Sequence, residues 1–222
     1  MKQISGAEVI QLLPCQNGFI FVEKEEQSEE RAVVSYKMVD FERSEVLPVT
    51  RSVYLLNKFG NLFEQFEDNP DAFLSLRTLN LSERRLLTVA SDGEATVYDA
   101  GGRAVWRGEF CYNGATPGGM TADGDGFWVS YPDANCVIRY DGHRMQSRLR
   151  LGGDNDAILT PTGLSMLHDR LMVCSREGRQ LLQIDPVSFS IDVYHTFDQP
   201  VVQYLKYHSK EFVLTLSGIY KL

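Results

Sequence analysis

LLTVASDGEATVYDAGG (residues 86–102), FWVSYPDANCVIRYDGH (127–143) and LMVCSREGRQLLQIDPV (171–187) follow one plan. Each opens on an apolar, strand-forming run, breaks at a short polar turn, and resumes in a second apolar run that closes on an aspartate. The turns are Ser91-Asp92-Gly93, Pro132-Asp133-Ala134-Asn135 and Arg176-Glu177-Gly178. The closing residues Asp99, Asp141 and Asp185 lie 42 and 44 residues apart. Glycine tolerates positive φ, proline presets its own φ, and aspartate accepts from nearby backbone N–H groups, so these are hairpin signals with a mechanism. Another strand follows each aspartate: AVWRGEF from Ala104, MQSRLRL from Met145, SIDVYHTF from Ser190. Upstream, Thr116-Pro117-Gly118-Gly119-Met120 matches Thr160-Pro161-Thr162-Gly163-Leu164, and Gln199-Pro200-Val201-Val202 is a weaker copy. Four short antiparallel strands in units of roughly 40 to 50 residues are the blades of a β-propeller, an all-β fold.

Working outward, GFIFVEKE from Gly18, RAVVSYKMVDF from Arg31 and EVLPVTRSVYLL from Glu45 read as three strands of a first blade, with the charged EKEEQSEER run as a hairpin loop. VVQYLKYHSKEFVLTLSGIYKL supplies only three strands at the far end, so a strand from residues 2–13 is expected to complete that blade and close the ring; an open ring would leave two unpaired edges. The count is five blades, or six if residues 57–81 form their own. That segment is the least repeat-like and leaves room for a helical turn around Phe63–Phe66 or a long connection between blades. One domain over residues 1–222 is the expected organisation.

Hydrophobic residues make up 43% and charged residues 23% of the chain, enough apolar material for a core. The net charge of −8 opposes a phosphate backbone or an anionic membrane as partner. Arg84, Arg85, Arg103 and Arg107 read as a solvated strand face. No apolar stretch approaches the ~18 residues of a membrane span, and the N-terminus lacks the apolar core of a secretory signal. Cys15, Cys111, Cys136 and Cys174 have no metal or redox spacing, and Cys136 and Cys174 sit in apolar strands, so a reducing cytoplasm is expected. Trp106, Trp128, Phe127 and Phe212 alternate with polar neighbours and read as blade packing.

The pattern Pro117-x-Gly119-Met120, Asp125-Gly126-Phe127-Trp128-Val129-Ser130, Asn135-x-Val137-Ile138-Arg139-Tyr140-Asp141 resembles the blade signature of the NHL, SMP-30/gluconolactonase and streptogramin-lyase group of propellers. The resemblance is strongest over residues 116–141 and covers about half the chain. It implies the architecture, since in that group one blade serves lactone hydrolysis, antibiotic ring opening, peptide recognition and scaffolding. A gluconolactonase-like site implies a Glu, two Asn and an Asp around one divalent ion; of these only Asn135 falls at a matching position. A streptogramin-lyase-like site implies a histidine supported by acids, and His143, His168, His195 and His208 share no motif.

Strands in a blade run alternately up and down, so turns between second and third strands share a face with the connections between blades. That face should carry Asp92, Glu94, Asp133, Asn135, Arg176 and Glu177 on the turns, and Tyr112, Asn113 and Asp156 on the connections, with Tyr112 and Tyr131 as flat aromatic surfaces. Loops held by a rigid scaffold are where binding sites form. The sequence therefore points to a non-catalytic module for a protein, peptide or small polar ligand, monomeric, with no cofactor expected. The alternative is a lactone hydrolase or lyase that uses Ca2+ or another divalent ion held by the turn acids. A strand-exchanged oligomer is a third arrangement the incomplete last blade allows.

Overall fold

The closing aspartates show why the repeats fold alike. In the computed structural model, which describes residues 1–6, 8–24, 34–43, 45–67, 74–153 and 157–222, Asp99 Oδ1 accepts from the N–H groups of Gly101 and Arg103. Asp141 Oδ1 accepts from His143 and Arg144, and Asp185 Oδ1 from Val187 and Ser188. Each carboxylate thereby fixes the turn between the third and fourth strands of its sheet. Asp40 Oδ1 makes the same turn with Glu42 and Arg43, a fourth copy of the device.

The chain forms five four-stranded antiparallel sheets, the blades of a five-bladed propeller. The first is β2 (Val9–Cys15), β3 (Gly18–Lys24), β4 (Val34–Asp40) and β5 (Glu45–Pro48); the second is β6 (Arg77–Leu81), β7 (Arg85–Val89), β8 (Glu94–Tyr98) and β9 (Ala104–Glu109). The third holds β10 (Met120–Asp123), β11 (Gly126–Tyr131), β12 (Cys136–Asp141) and β13 (Ser147–Gly152), and the fourth β14 (Pro161–Leu167), β15 (Arg170–Ser175), β16 (Gln180–Ile184) and β17 (Ile191–Thr196). The fifth is built from β18 (Val201–Tyr207), β19 (Lys210–Thr215) and β20 (Gly218–Lys221), and β1 (Lys2–Ser5) completes it with the register Lys2↔Lys221, Gln3↔Tyr220 and Ser5↔Ile219. The N-terminal strand thus closes the last sheet as expected. The N-terminal stretch also supplies a second strand, β2, which opens the first sheet.

Residues 51–56, expected as strand, are helical. Helix α1 (Arg51–Phe59) starts at Thr50, whose Oγ1 accepts from Val53 N at 3.3 Å, and stops at Gly60, which has φ 57°. Tyr54, Leu55, Lys58 and Phe59 are buried, and this three-to-four-residue spacing outweighs the β-branched residues that suggested a strand. A 3-10 turn and the short α2 (Phe63–Phe66) follow, then β6. Of residues 57–81, the described ones continue the helical stretch to Phe66 and supply β6 of the second sheet, and the sheets formed by the described residues number five. Most of the EKEEQSEER run lies outside the described residues.

By its contacts the chain divides into two units, residues 1–70 with 205–222, and residues 71–204. In the first unit Phe19, Ile20, Phe21 and Val22 are fully buried, and Phe41 and Phe212 pack beside Phe19 with ring centroids 5.7 and 5.2 Å away. Buried Glu23 is satisfied by the Ser5 hydroxyl and the Lys37 ammonium, which ties β1 to β3 and β4. In the second unit, apolar residues of the second and third sheets interleave around Leu87, Val97, Phe127 and Ile138. Those of the third and fourth do so around Trp128, Ile158, Leu171 and Leu182.

At one position in each of the third and fourth sheets the backbone of the following sheet stands so close that a side chain is excluded. A Cβ on Gly119 would lie 2.3 Å from Thr162 O, and one on Gly163 would lie 2.5 Å from Val202 O. A hydroxyl locks the first of these junctions: buried Ser130 Oγ accepts from Gly119 N and donates to Thr162 O, both at 2.7 Å. Ser130→Ala leaves both groups without that partner, and we expect a loss of about 1–3 kcal/mol in urea unfolding.

The carboxyls of Asp99, Asp141 and Asp185 are held below the usual carboxylate range, chiefly by turn N–H groups and then by Arg103, Arg148 and Arg170 respectively. Because the charged form is favoured in the fold, this stabilisation is complete above about pH 4 and is lost as pH falls through the lowered values. Thermal midpoints should drop below about pH 4, and replacing all three aspartates with asparagine should flatten that drop.

Candidate functional site

The connection from β9 to β10 doubles back on itself. Tyr112 and Ala115 exchange backbone hydrogen bonds of 3.1 and 2.9 Å, and between them Asn113 and Gly114 take φ of 50° and 80°. Asn-Gly is the pair that best supports two consecutive left-handed residues, so this tip has a defined shape. Facing it is the turn from β11 to β12, a 3-10 turn over Pro132–Ala134 that ends at Asn135 with φ 50°. Asn135 Oδ1 accepts from Thr160 N at 2.8 Å, and its carbonyl accepts from Gly153 N at 3.0 Å. Arg150, from β13, crosses the gap: its Nη1 donates to the Tyr112 hydroxyl at 3.0 Å and its guanidinium lies 5.8 Å from the Tyr112 ring centre.

These three segments enclose an open polar cleft of about 530 Å3, lined among others by Tyr112, Asn113, Asp133, Asn135, Arg150 and Gly153. A second hollow of about 750 Å3 adjoins it along β9 and β13 and shares Tyr112 and Arg150. The Asp133 carboxyl and the Arg150 guanidinium put both charge signs on the walls, and the Tyr112 hydroxyl and Asn113 amide add neutral donors and acceptors.

Of the residues expected on this face, Tyr112, Asn113, Asp133 and Asn135 come together in the cleft. Asp92 and Glu94 occupy the β7–β8 turn, where Asp92 Oδ1 accepts from Glu94 N at 3.0 Å, and do not line it. Arg176 and Glu177 are exposed on the β15–β16 turn, also outside it. Asp156 lies outside the described residues. Tyr131 is no surface: it is 0% exposed, and its hydroxyl meets that of Tyr140 at 2.6 Å beneath the Tyr112 ring, whose centre is 6.0 Å away. The alternation that puts its neighbour Ser130 toward the fourth sheet turns Tyr131 into the core shared with the second. Arg150 carries no turn signal in the sequence because it lies within a strand.

Among the described residues no three His, Cys, Asp or Glu side chains are grouped to hold a metal ion. His168 and His208 are hairpin residues with φ of 54° and 53°, His143 lies in the Asp141 turn, and His195 packs on Phe197 at 4.5 Å. The exposed Cys111 thiol is pushed up to about 11, first by its hydrogen bond to Glu109 and then by burial, which keeps it protonated at neutral pH.

No protein-family model and no curated protein matches the sequence. Solved structures do match its fold. An auxiliary nutrient binding protein from Bacteroides thetaiotaomicron superposes with a TM-score of 0.63 at 10% identity, covering 97% of this chain and 68% of its own. A catalytically inactive virginiamycin B lyase from Staphylococcus aureus, solved with quinupristin, gives 0.53 at 14% identity, with coverages of 98% and 70%. The WD40 β-propeller domain of Doa1 gives 0.55 at 11% identity, with coverages of 95% and 61%. Enzymes and binding proteins stand side by side among these neighbours. They show that the chain shares the β-propeller fold. No helix among the described residues is long and apolar enough to cross a membrane.

Proposed function

We propose that this chain is a non-catalytic binding propeller that takes a small polar ligand, or the polar end of a peptide or protein segment, into the cleft between Tyr112-Asn113 and Asp133-Asn135. The observation that carries this reading is the cleft itself. Its size of about 530 Å3 suits a small ligand, and its walls combine one ring, one guanidinium and one carboxylate on loops fixed by backbone hydrogen bonds. The protein works as a monomer in the cytoplasm, a placement supported by four free cysteines, and needs no cofactor. With a net charge of −8 its partners are neither nucleic acid nor anionic membrane.

A thermal-shift screen against small polar compounds and capped tripeptides tests this. Compounds that raise the melting midpoint should lose at least about tenfold in affinity in Tyr112→Ala, which removes the ring and the hydroxyl that Arg150 donates to, and a similar amount in Asp133→Ala. Responses equal in both variants and the unaltered chain would remove the cleft from consideration.

A further inference from the structure

Arg77 breaks the repeat at a position where the third and fourth sheets accept no side chain. Counting from the turn aspartates, Leu86 pairs with Tyr98 beside Asp99, and Phe127 with Tyr140 beside Asp141. Three residues further along these second strands stand Val89 and Ser130. Val89 faces Arg77, and Ser130 bonds to Gly119. The same count in the fourth sheet ends beside Gly163, next to Leu164, which pairs with Val173. Gly119 and Gly163 are there because the next sheet's backbone stands within 2.3 and 2.5 Å of any Cβ. The second sheet holds a long cation instead.

Packing does not explain it. Arg77 shares a face of β6 with Leu79 and Leu81, both of which enter the apolar cluster of the second and third sheets. Its Nη1 is closed to solvent and has no hydrogen-bond partner among the described residues. Burial pulls its pKa down, with no carboxylate among the described residues offsetting the loss of water. A guanidinium stays charged even so, and a partly desolvated cation with no counter-ion among the described residues is costly. Val89, its partner, is the last residue of β7 before the Asp92 turn, so Arg77 lies at the loop-bearing end of its sheet.

We propose that Arg77 is a receptor for a monocarboxylate ligand that approaches the first strand of the second sheet from the loop-bearing end. The flat guanidinium matches a carboxylate in a paired, two-bond geometry. One cation neutralises one negative charge, and a chain with a net charge of −8 disfavours a dianion such as phosphate. The inference is independent of the Tyr112 cleft and stands or falls separately.

The experiment is an NMR titration of the Arg77 Nε–Hε resonance in the unaltered chain with propionate, inorganic phosphate and sodium chloride at matched ionic strength, with melting midpoints measured in parallel. Propionate should move the resonance saturably and raise the midpoint, while chloride moves neither. Arg77→Met should abolish the propionate response and raise the midpoint of the unliganded chain, and Arg77→Lys should weaken propionate binding about tenfold. A resonance that ignores propionate, one that answers phosphate alone, or a full propionate response in Arg77→Met would overturn the proposal. The titration of the unaltered chain decides the matter even if a variant fails to fold.

Discussion

Gly119→Ala is expected to destabilise the protein by about 3 kcal/mol, although a glycine-to-alanine change within a strand ordinarily stabilises. Gly119 does not take a left-handed φ, so alanine meets no backbone strain there and the loss comes from packing alone. The added Cβ would stand 2.3 Å from Thr162 O and 3.1 Å from Gly163 Cα. Both are backbone atoms of a neighbouring strand, which cannot swing aside as a flexible side chain does. The two first strands would have to part by about 1 Å, stretching the bonds that Ser130 makes across the junction. Gly101→Ala is the control: its Cβ would meet only the Asp99 carboxylate at 3.4 Å, and its effect should stay within about 0.5 kcal/mol. Urea unfolding of both variants checks the contrast, and equal effects would show that the first strands are not tightly apposed.

Deleting residues 1–5 should be more damaging still. The three pairings of β1 with β20 would be lost, and buried Glu23 would lose the Ser5 hydroxyl. At about 1 kcal/mol net for each backbone bond, with a further penalty for the underserved carboxylate, the cost is on the order of 4 kcal/mol. The exposed edge of β20 would also be open to pairing with other chains. Light scattering should show self-association of the truncated protein, and a peptide of residues 1–6 added in excess should reverse it and restore the melting midpoint. A truncated chain that stays monomeric with an unchanged midpoint would mean that β1 does not close the last sheet.

Much of this fold can be read from residues 86–187, because there the spacing of Asp99, Asp141 and Asp185 sets the blade length directly. Asp40 performs the same task but was not recognisable, since α1, α2 and their connections separate it from Asp99 and destroy the spacing. The helix was hidden for a local reason. Val49, Thr50 and Val53 are β-formers, and only the positions of Tyr54, Leu55, Lys58 and Phe59 show the helical period. At the site, topology correctly brought Asp133 and Asn135 to the same end as Tyr112 and Asn113. It could not say that the turns of different sheets stay apart, which is why Asp92, Glu94, Arg176 and Glu177 do not join the cleft. Asn113-Gly114 was an available signal for the shape of that loop. Arg77 had a signal too, its alignment with Gly119 and Gly163, but it sits at the edge of the segment where the repeat is hardest to follow.

The most direct test of the binding reading is backbone-amide NMR of the labelled chain titrated with the strongest stabilising compound from the polar screen. The account predicts shifts concentrated at Tyr112, Asn113, Gly114, Asp133 and Gly153. Shifts confined to the Asp92 or Arg176 turns, with those five amides unmoved, would contradict it.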